Sequence, residues 1–210
     1  MVDRAPVPNT DDIAEVREAA RKCRACPLWK NAEQTVFGEG EPSARIMLVG
    51  EQPGDVEDQQ GRPFVGPAGK LLDEALEKAG IPRLDCYVTN AVKHFKWEPS
   101  GKRRIHKKPS PREIAACRPW LEAEIRIIHP ETVVCLGATA AAALLGSTVR
   151  VLRDRGRPLS SPVAKSVFVT IHPSMILRMP DREAAKQEYK QFVRDLRAAY
   201  AKSQAAQKDE

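Results

Sequence analysis

Residues 45–55, Arg45-Ile46-Met47-Leu48-Val49-Gly50-Glu51-Gln52-Pro53-Gly54-Asp55 (RIMLVGEQPGD), decide the fold. The first half is a short, unbroken apolar run, as in a strand covered on both faces. The second half switches to small and polar residues, and Pro-Gly bends the chain away. The switch recurs three times. Residues 87–92 (YVTNAV) run into Lys93-His94, residues 132–137 (TVVCLG) into Ala-Thr, and residues 166–171 (SVFVTI) into His172-Pro173-Ser174. Amphipathic patterns separate these runs. They predict helices over residues 11–24, 69–79 and 110 to about 129, an alanine-rich helix ending at Gly146, and a closing helix from 181 to about 202. Strands alternating with helices make an α/β fold whose largely parallel sheet lies between helical layers.

With 210 residues and no repeat or linker, the chain reads as one domain over 1–210, its termini expected to fray over about 1–10 and 203–210. Hydrophobic residues make up 42% and charged residues 30%, enough for a core in a soluble protein. No apolar run approaches a membrane span and the start MVDRAPVPNTDDI lacks a signal-peptide core, so a cytoplasmic monomer with no membrane partner is expected. The net charge of +6 says little alone. Its distribution says more: residues 93–108 carry seven Lys/Arg against one acid, Glu98, which favours an anionic partner. Five cysteines, at 23, 26, 86, 117 and 135, are an odd count in a chain without an export signal, which speaks for metal ligation or burial rather than disulfides.

In open α/β sheets ligands gather where the strands end at their carboxyl side. The segments leaving those ends are GEQPGD, TNAVKH, LGAT and IHPS. Glu51, Gln52, Gly54 and Asp55 either hold polar groups at the sheet edge or form an ordinary turn. Asn90 offers one acceptor and two donors, which match the O4/N3–H edge of uracil or simply cap the strand end. His172 can donate to an oxygen gaining negative charge, or serve as a hydrogen-bonded structural residue. Phe64, in GRPFVGPAG, is either a core plug or a surface on which a base stacks. Residues 101–110, GKRRIHKKPS, place Lys102, Arg103, Arg104, Lys107 and Lys108 around His106. Glycine and proline bracket them, which predicts a phosphate-attracting loop.

Taken in order, GEQPGD, GRPFVGPAG, VTNAVK and HPS resemble the motifs of the uracil-DNA glycosylase superfamily, a likeness running from about Cys23 to the closing helix. It implies a three-layer α/β/α sandwich around a four-stranded, mainly parallel sheet, and a substrate of uracil-containing DNA, preferentially single-stranded. It also implies roles. His172 supports a uracil oxygen, Asn90 reads the base edge, Phe64 stacks on it, and Gln52, Gly54, Asp55 and Arg104 add substrate contacts. The iron–sulfur branches of this superfamily follow a Cys-x-x-Cys pair with a ligand after the TNxVK strand and another on the next helix. Here those positions are Cys23, Cys26, His94 and Cys117, a histidine standing third. A 4Fe–4S cluster on these four is the expectation, and histidine is an acceptable iron ligand. Zinc on the same ligands is the alternative. Cys135, inside an apolar strand, is a rival ligand, and Cys86 lies at the wrong strand end.

GKRRIH further resembles the UdgX-type branch, whose members become covalently joined to DNA at the excised position. On this expectation His106 attacks C1′, the other ring nitrogen passes its proton to Glu51, and crowding by Arg103, Arg104, Lys107 and Lys108 keeps the imidazole neutral. With Lys102 these cations also bind phosphates. A multiple-turnover glycosylase using water, and a non-catalytic iron–sulfur nucleic-acid-binding protein, are the other two readings.

Overall fold

The computed structural model describes residues 4–205; the outermost residues expected to fray, 1–3 and 206–210, lie outside them. The apolar runs form four strands, β1 (Ile46–Gly50), β2 (Cys86–Asn90), β5 (Thr132–Leu136) and β6 (Ser166–Thr170). They pair in the order β2-β1-β5-β6, every neighbour parallel, so the main sheet is wholly parallel. All five residues of each strand are buried, as the unbroken apolar pattern requires.

Alternate side chains feed two cores. Ile46, Leu48, Val88, Val134 and Phe168 pack against α3 (Pro67–Ala79), α7 (Pro173–Leu177) and the closing helix α8 (Arg182–Ala205). Met47, Val49, Tyr87, Val133 and Val169 pack the other face against α4 (Pro111–Ile128) and α5 (Ala138–Leu145). This is the expected α/β/α sandwich with a four-stranded central sheet. A third cluster joins α1 (Ile13–Ala20) to α4 through Val16, Phe37 and Trp120. Short helices α2 (Asp55–Gln60) and α6 (Val151–Asp154), two 3-10 turns (Pro27–Lys30 and Arg83–Asp85) and a hairpin described below complete the described residues. Among the described residues no helix is long and apolar enough to cross a membrane.

The helix signals hold where a cap is explicit. Ser110 accepts from the Glu113 N–H while Glu113 reaches back to the Ser110 N–H, the reciprocal box that starts α4. Gly80 closes α3 in the left-handed region at φ +74. Other boundaries move: the first helix starts at Ile13 rather than residue 11, and α3 at Pro67 rather than residue 69. The first helix stops at Ala20 rather than residue 24, because Pro27 forces Cys26 into an extended conformation and the chain cannot stay helical through CRACP. The closing helix continues to Ala205. Its Ser203 is fully buried and its carbonyl accepts from Arg45, so 203–205 are held rather than frayed. Ala5 is likewise buried and bonded to the Ala116 carbonyl.

The largest departure is GKRRIHKKPS. Half of it belongs to an antiparallel hairpin, β3 (Trp97–Ser100) and β4 (Arg103–His106), joined by a two-residue turn with Gly101 at φ +59. The charged residues along the hairpin give no apolar alternation to read. Pairing puts His106 opposite Trp97, at the base of the hairpin.

Candidate active site and cysteine corner

The carboxyl ends of all four parallel strands meet at a pocket of about 320 Å³, into which the base of the hairpin also reaches. Its lining includes Glu51, Phe64, Asn90, His106, Gly137 and His172. Asn90, the last residue of β2, is 3% exposed, and its side-chain amide makes no hydrogen bond among the described residues. Burial without an internal partner leaves its acceptor and donors for a ligand. Gly50 lies beside it because a Cβ there would stand 2.3 Å from Asn90 Oδ1 and 2.7 Å from Phe64 Cζ.

Phe64 holds a left-handed backbone at φ +56, costly for an aromatic residue and typical of strain kept at a site. Two contacts enforce it. A Cβ at Gly69 would meet the Phe64 carbonyl oxygen at 1.7 Å, so the helix start admits only glycine. Glu57 then ties both loops together, accepting from the Gly66 N–H at 2.7 Å and the Gly54 N–H at 3.1 Å. The Phe64 ring stacks beside His172 with centroids 6.1 Å apart.

His172 caps α7. Its Nδ1 accepts from the Ser174 N–H at 3.2 Å, so the neutral ring carries its proton on Nε2, ready to donate. Burial, with help from the charges of Arg178 and His106, lowers its pKa to about 4. His106, whose side chain is 45% exposed, places Nε2 3.5 Å from Oε1 of Glu51. The other oxygen of Glu51 accepts from the Thr139 hydroxyl at the start of α5. The His106 pKa is lowered by partial burial first and then by Arg178, while Glu51 opposes the shift. The expectation that Arg103, Arg104, Lys107 and Lys108 keep this ring neutral is therefore corrected: desolvation and Arg178 do so.

Two of those loop cations, Arg104 and Lys107, are already held by acids. Arg104 turns back onto α2, pairing with Asp55, with Asp58 at 2.7 Å and with Glu33 at 3.4 Å, and lies over the rings of Phe95 and Trp97. Arg104 and Asp55, expected at the substrate, are thus bound to each other outside the pocket lining. Gln52 does line the pocket, with its amide turned to the hairpin base. Its amide donates to the carbonyls of Lys96 and Lys107 and accepts from the Lys96 N–H, so it works as a rivet under His106. Lys107 pairs with Glu98 at 2.8 Å, Lys102 and Arg103 are exposed at the hairpin tip, and Lys108 and Gly54 line the pocket. Glu57, Thr139 and Arg178 are pocket residues that sequence motifs did not single out. Arg178 lies six residues past His172, and only its position beyond HPS could have pointed to it.

A second corner gathers the proposed metal ligands. Cys23, Cys26 and Cys117 are buried in the cluster that joins α1 to α4. Cys23 accepts from the Trp120 indole N–H and Cys117 from the Lys93 N–H, both at 3.2 Å. His94, the next residue after Lys93, is 4% exposed. Its Nε2 lies 2.9 Å from the Thr35 hydroxyl, which donates to the Ala20 carbonyl. Thr35 must then accept from His94, so the histidine proton sits on Nε2 and the Nδ1 pair is free, the arrangement of a metal-ligating imidazole braced through its other nitrogen. Among the described residues no three His, Cys, Asp or Glu side chains are grouped so as to hold a metal ion. The chemistry of the donors in this corner nonetheless fits a sulfur-rich centre: three thiols, two N–H groups aimed at sulfur, and a free imidazole nitrogen in an apolar setting. Without a metal, burial pushes the Cys117 thiol up to about 12 and lowers His94 to about 4. Cys86 and Cys135 lie within strands of the main sheet, belonging to the two other core clusters.

Comparison with known proteins agrees with this geometry. The family model of the uracil DNA glycosylase superfamily matches residues 37–197. A type-4 uracil-DNA glycosylase of Thermotoga maritima is 45% identical over 169 residues, 80% of this chain and 84% of that protein. The type-4 enzyme of Pyrobaculum aerophilum is 38% identical over 80% of this chain and 86% of its own length. A type-5 uracil-DNA glycosylase of Thermus thermophilus is 36% identical over 62% of each. The chain belongs to the uracil DNA glycosylase superfamily.

Proposed function

We propose that this protein excises uracil from DNA, preferentially single-stranded, and that His106 replaces water as the nucleophile, leaving the protein attached to the sugar. The observation that carries this reading is His106 Nε2 at 3.5 Å from Glu51 Oε1, in a pocket shared with Asn90, Phe64 and His172.

A uracil extruded from a strand is read by Asn90 along its O4/N3–H edge and rests against Phe64. The His106 Nε2 lone pair forms a bond to C1′ as the C1′–N1 bond breaks, and the bonding pair leaves on uracil. The neutral His172 donates its Nε2 proton as a hydrogen bond to an oxygen of the departing uracil anion, placing a dipole where charge develops. Glu51 stands beside Nε2 and stabilises the positive charge that passes through the sugar and imidazole. With Nε2 bonded to carbon, the remaining ring proton on Nδ1 is lost to solvent rather than to Glu51, because Glu51 stands at Nε2 and not at the second nitrogen. The product is a neutral N-glycosyl imidazole, a poor leaving group that water displaces slowly.

Cys23, Cys26, His94 and Cys117 would hold a 4Fe–4S cluster, which when bound would brace the segment after α1, the end of β2 and helix α4 against one another.

Hydrolytic turnover is the second reading, favoured by the type-4 names of the relatives and by the fixed Glu51 carboxylate, which can equally orient water. A denaturing gel after incubation with a uracil-containing oligonucleotide separates the two. A shifted band lost in His106→Ala supports the histidine adduct. Abasic product in excess of protein, with no shifted band, overturns it in favour of water.

A further inference from the structure

The cations around the pocket differ in whether an acid already holds them. Arg104 is paired with Asp55 and Asp58, Lys107 with Glu98, Lys96 with Glu113, and the buried Lys93 with Glu124. Lys108 and Arg178 both line the pocket, and neither makes an ion pair among the described residues. They come from different elements: Lys108 follows β4 and Arg178 caps the end of α7. The two carboxylates lining the pocket are engaged elsewhere, Glu51 with Thr139 and His106, and Glu57 with the N–H groups of Gly54 and Gly66.

Two cations that reach one pocket from different elements, neither held by a carboxylate, can receive an anion beside the engaged Glu51 and Glu57. The uracil ring entering this pocket is uncharged, whereas the nucleotide carrying it has a phosphate on each side of its sugar. From these placements we propose that Arg178, together with Lys108, holds the phosphates flanking the extruded nucleotide, and that this contact switches the environment of His106 when DNA arrives. The inference rests on the DNA-directed reading above and names the part of the substrate that reading leaves unassigned.

The switch follows from charge alone. The groups facing His106 are Glu51 at the end of β1, Arg178 at the end of α7 and the Phe95 ring. Those facing His172 are Arg178, His106, the Phe64 ring and Ser174. In the free protein the Arg178 charge disfavours protonation of both imidazoles, so His106 waits in its nucleophilic form. Once a phosphate pairs with Arg178, that opposition is cancelled. The positive charge that His106 acquires on attacking C1′ is then no longer resisted. Arg178 therefore keeps the nucleophile neutral before binding and stops opposing its charging afterwards.

The test measures binding of a uracil-free single-stranded oligonucleotide by fluorescence anisotropy across a salt series, so that it does not depend on bond cleavage. Arg178→Ala and Lys108→Ala should each flatten the log K against log [salt] slope by about 0.7, the loss of one phosphate contact on a single strand. Arg178→Lys should restore most of that slope. Arg118→Ala, on the exposed face of α4 and paired only with Glu122, should leave it unchanged. The pH dependence of uracil release should move its acid limb to higher pH in Arg178→Ala and return toward wild type in Arg178→Lys. An unchanged salt slope in folded Arg178→Ala overturns the phosphate assignment. An unmoved acid limb overturns the switch. Both results leave uracil excision itself standing, whereas failure of wild-type protein to release uracil removes the reading on which the proposal rests.

Discussion

The Nε2 atom of His106 lies 3.5 Å from Oε1 of Glu51, and the second oxygen of that carboxylate is fixed by the Thr139 hydroxyl. The acid is thus held by the helix following β5 and presents its free side to the end of β4, at the base of the hairpin. Two segments far apart in sequence are brought to the same point of chemistry.

This pairing predicts a signed pH profile. The His106 pKa is lowered from 6.5, so its neutral form grows with pH along a limb lying below 6.5 and the rate of uracil release levels off above it. Glu51 favours the cation, so Glu51→Gln should move the limb to lower pH while lowering the plateau on the order of 10²-fold. Single-turnover rates from pH 4.5 to 8 check both effects. A limb displaced to higher pH would contradict the assignment of Glu51.

The hairpin should lose its hold on His106 when Arg104 is changed. Arg104→Ala leaves Asp58, which is fully buried, without its cation, and should cost about 1–3 kcal/mol of stability. Arg104→Lys should recover little, because a single ammonium cannot reach Asp55 and Asp58 with the spread of a guanidinium. Thermal unfolding measures the cost. The rate of uracil release should fall in both variants, while Asn90 and Phe64 keep their places.

The cysteine corner gives a ligand-removal prediction. Cys23→Ser, Cys117→Ser and His94→Ala should each reduce bound iron and visible absorbance. Cys135→Ala and Cys86→Ala, in cores away from that corner, should retain both. Iron analysis of protein purified without oxygen checks this. Equal iron in all five variants would contradict the ligand set.

Much of this architecture was legible because its signals are local. Four apolar runs, each ending in polar residues, read directly as parallel strands meeting at a site, and Ser110 with Glu113 announced the start of α4. Asn90 and His172 fell where the strand ends placed them. The hairpin was not legible, because β3 and β4 are largely exposed and charged and depend on distant partners. Gln52 and Arg104 carry polarity near the site, yet Gln52 lines the pocket with its amide bonded to the hairpin base, and Arg104 leaves the hairpin for the carboxylates of α2. Nothing in GATAAAALL marks Thr139 as the residue that orients Glu51. Those roles arise only when β1, β5 and the hairpin come together.

Beneath Asn90 lies a buried ion pair with its own consequence. Lys93, 1% exposed, donates to Glu124, to the Thr89 hydroxyl and to the Asn90 carbonyl, while its backbone N–H donates to Cys117. Lys93→Met strands Glu124 in the core and should cost about 3–5 kcal/mol. Glu124→Gln should cost less, since an amide still accepts from Thr89 and the Gly38 N–H. Chemical denaturation of the two variants checks the order; a larger loss in Glu124→Gln would contradict it.

The most direct test of the central claim is the intact mass of the protein after reaction with a uracil-containing single-stranded oligonucleotide. The account predicts a covalent species whose added mass is that of the oligonucleotide less uracil, mapping to the peptide that contains His106, with one uracil released per protein. Unmodified protein alongside several released uracils per molecule would contradict it.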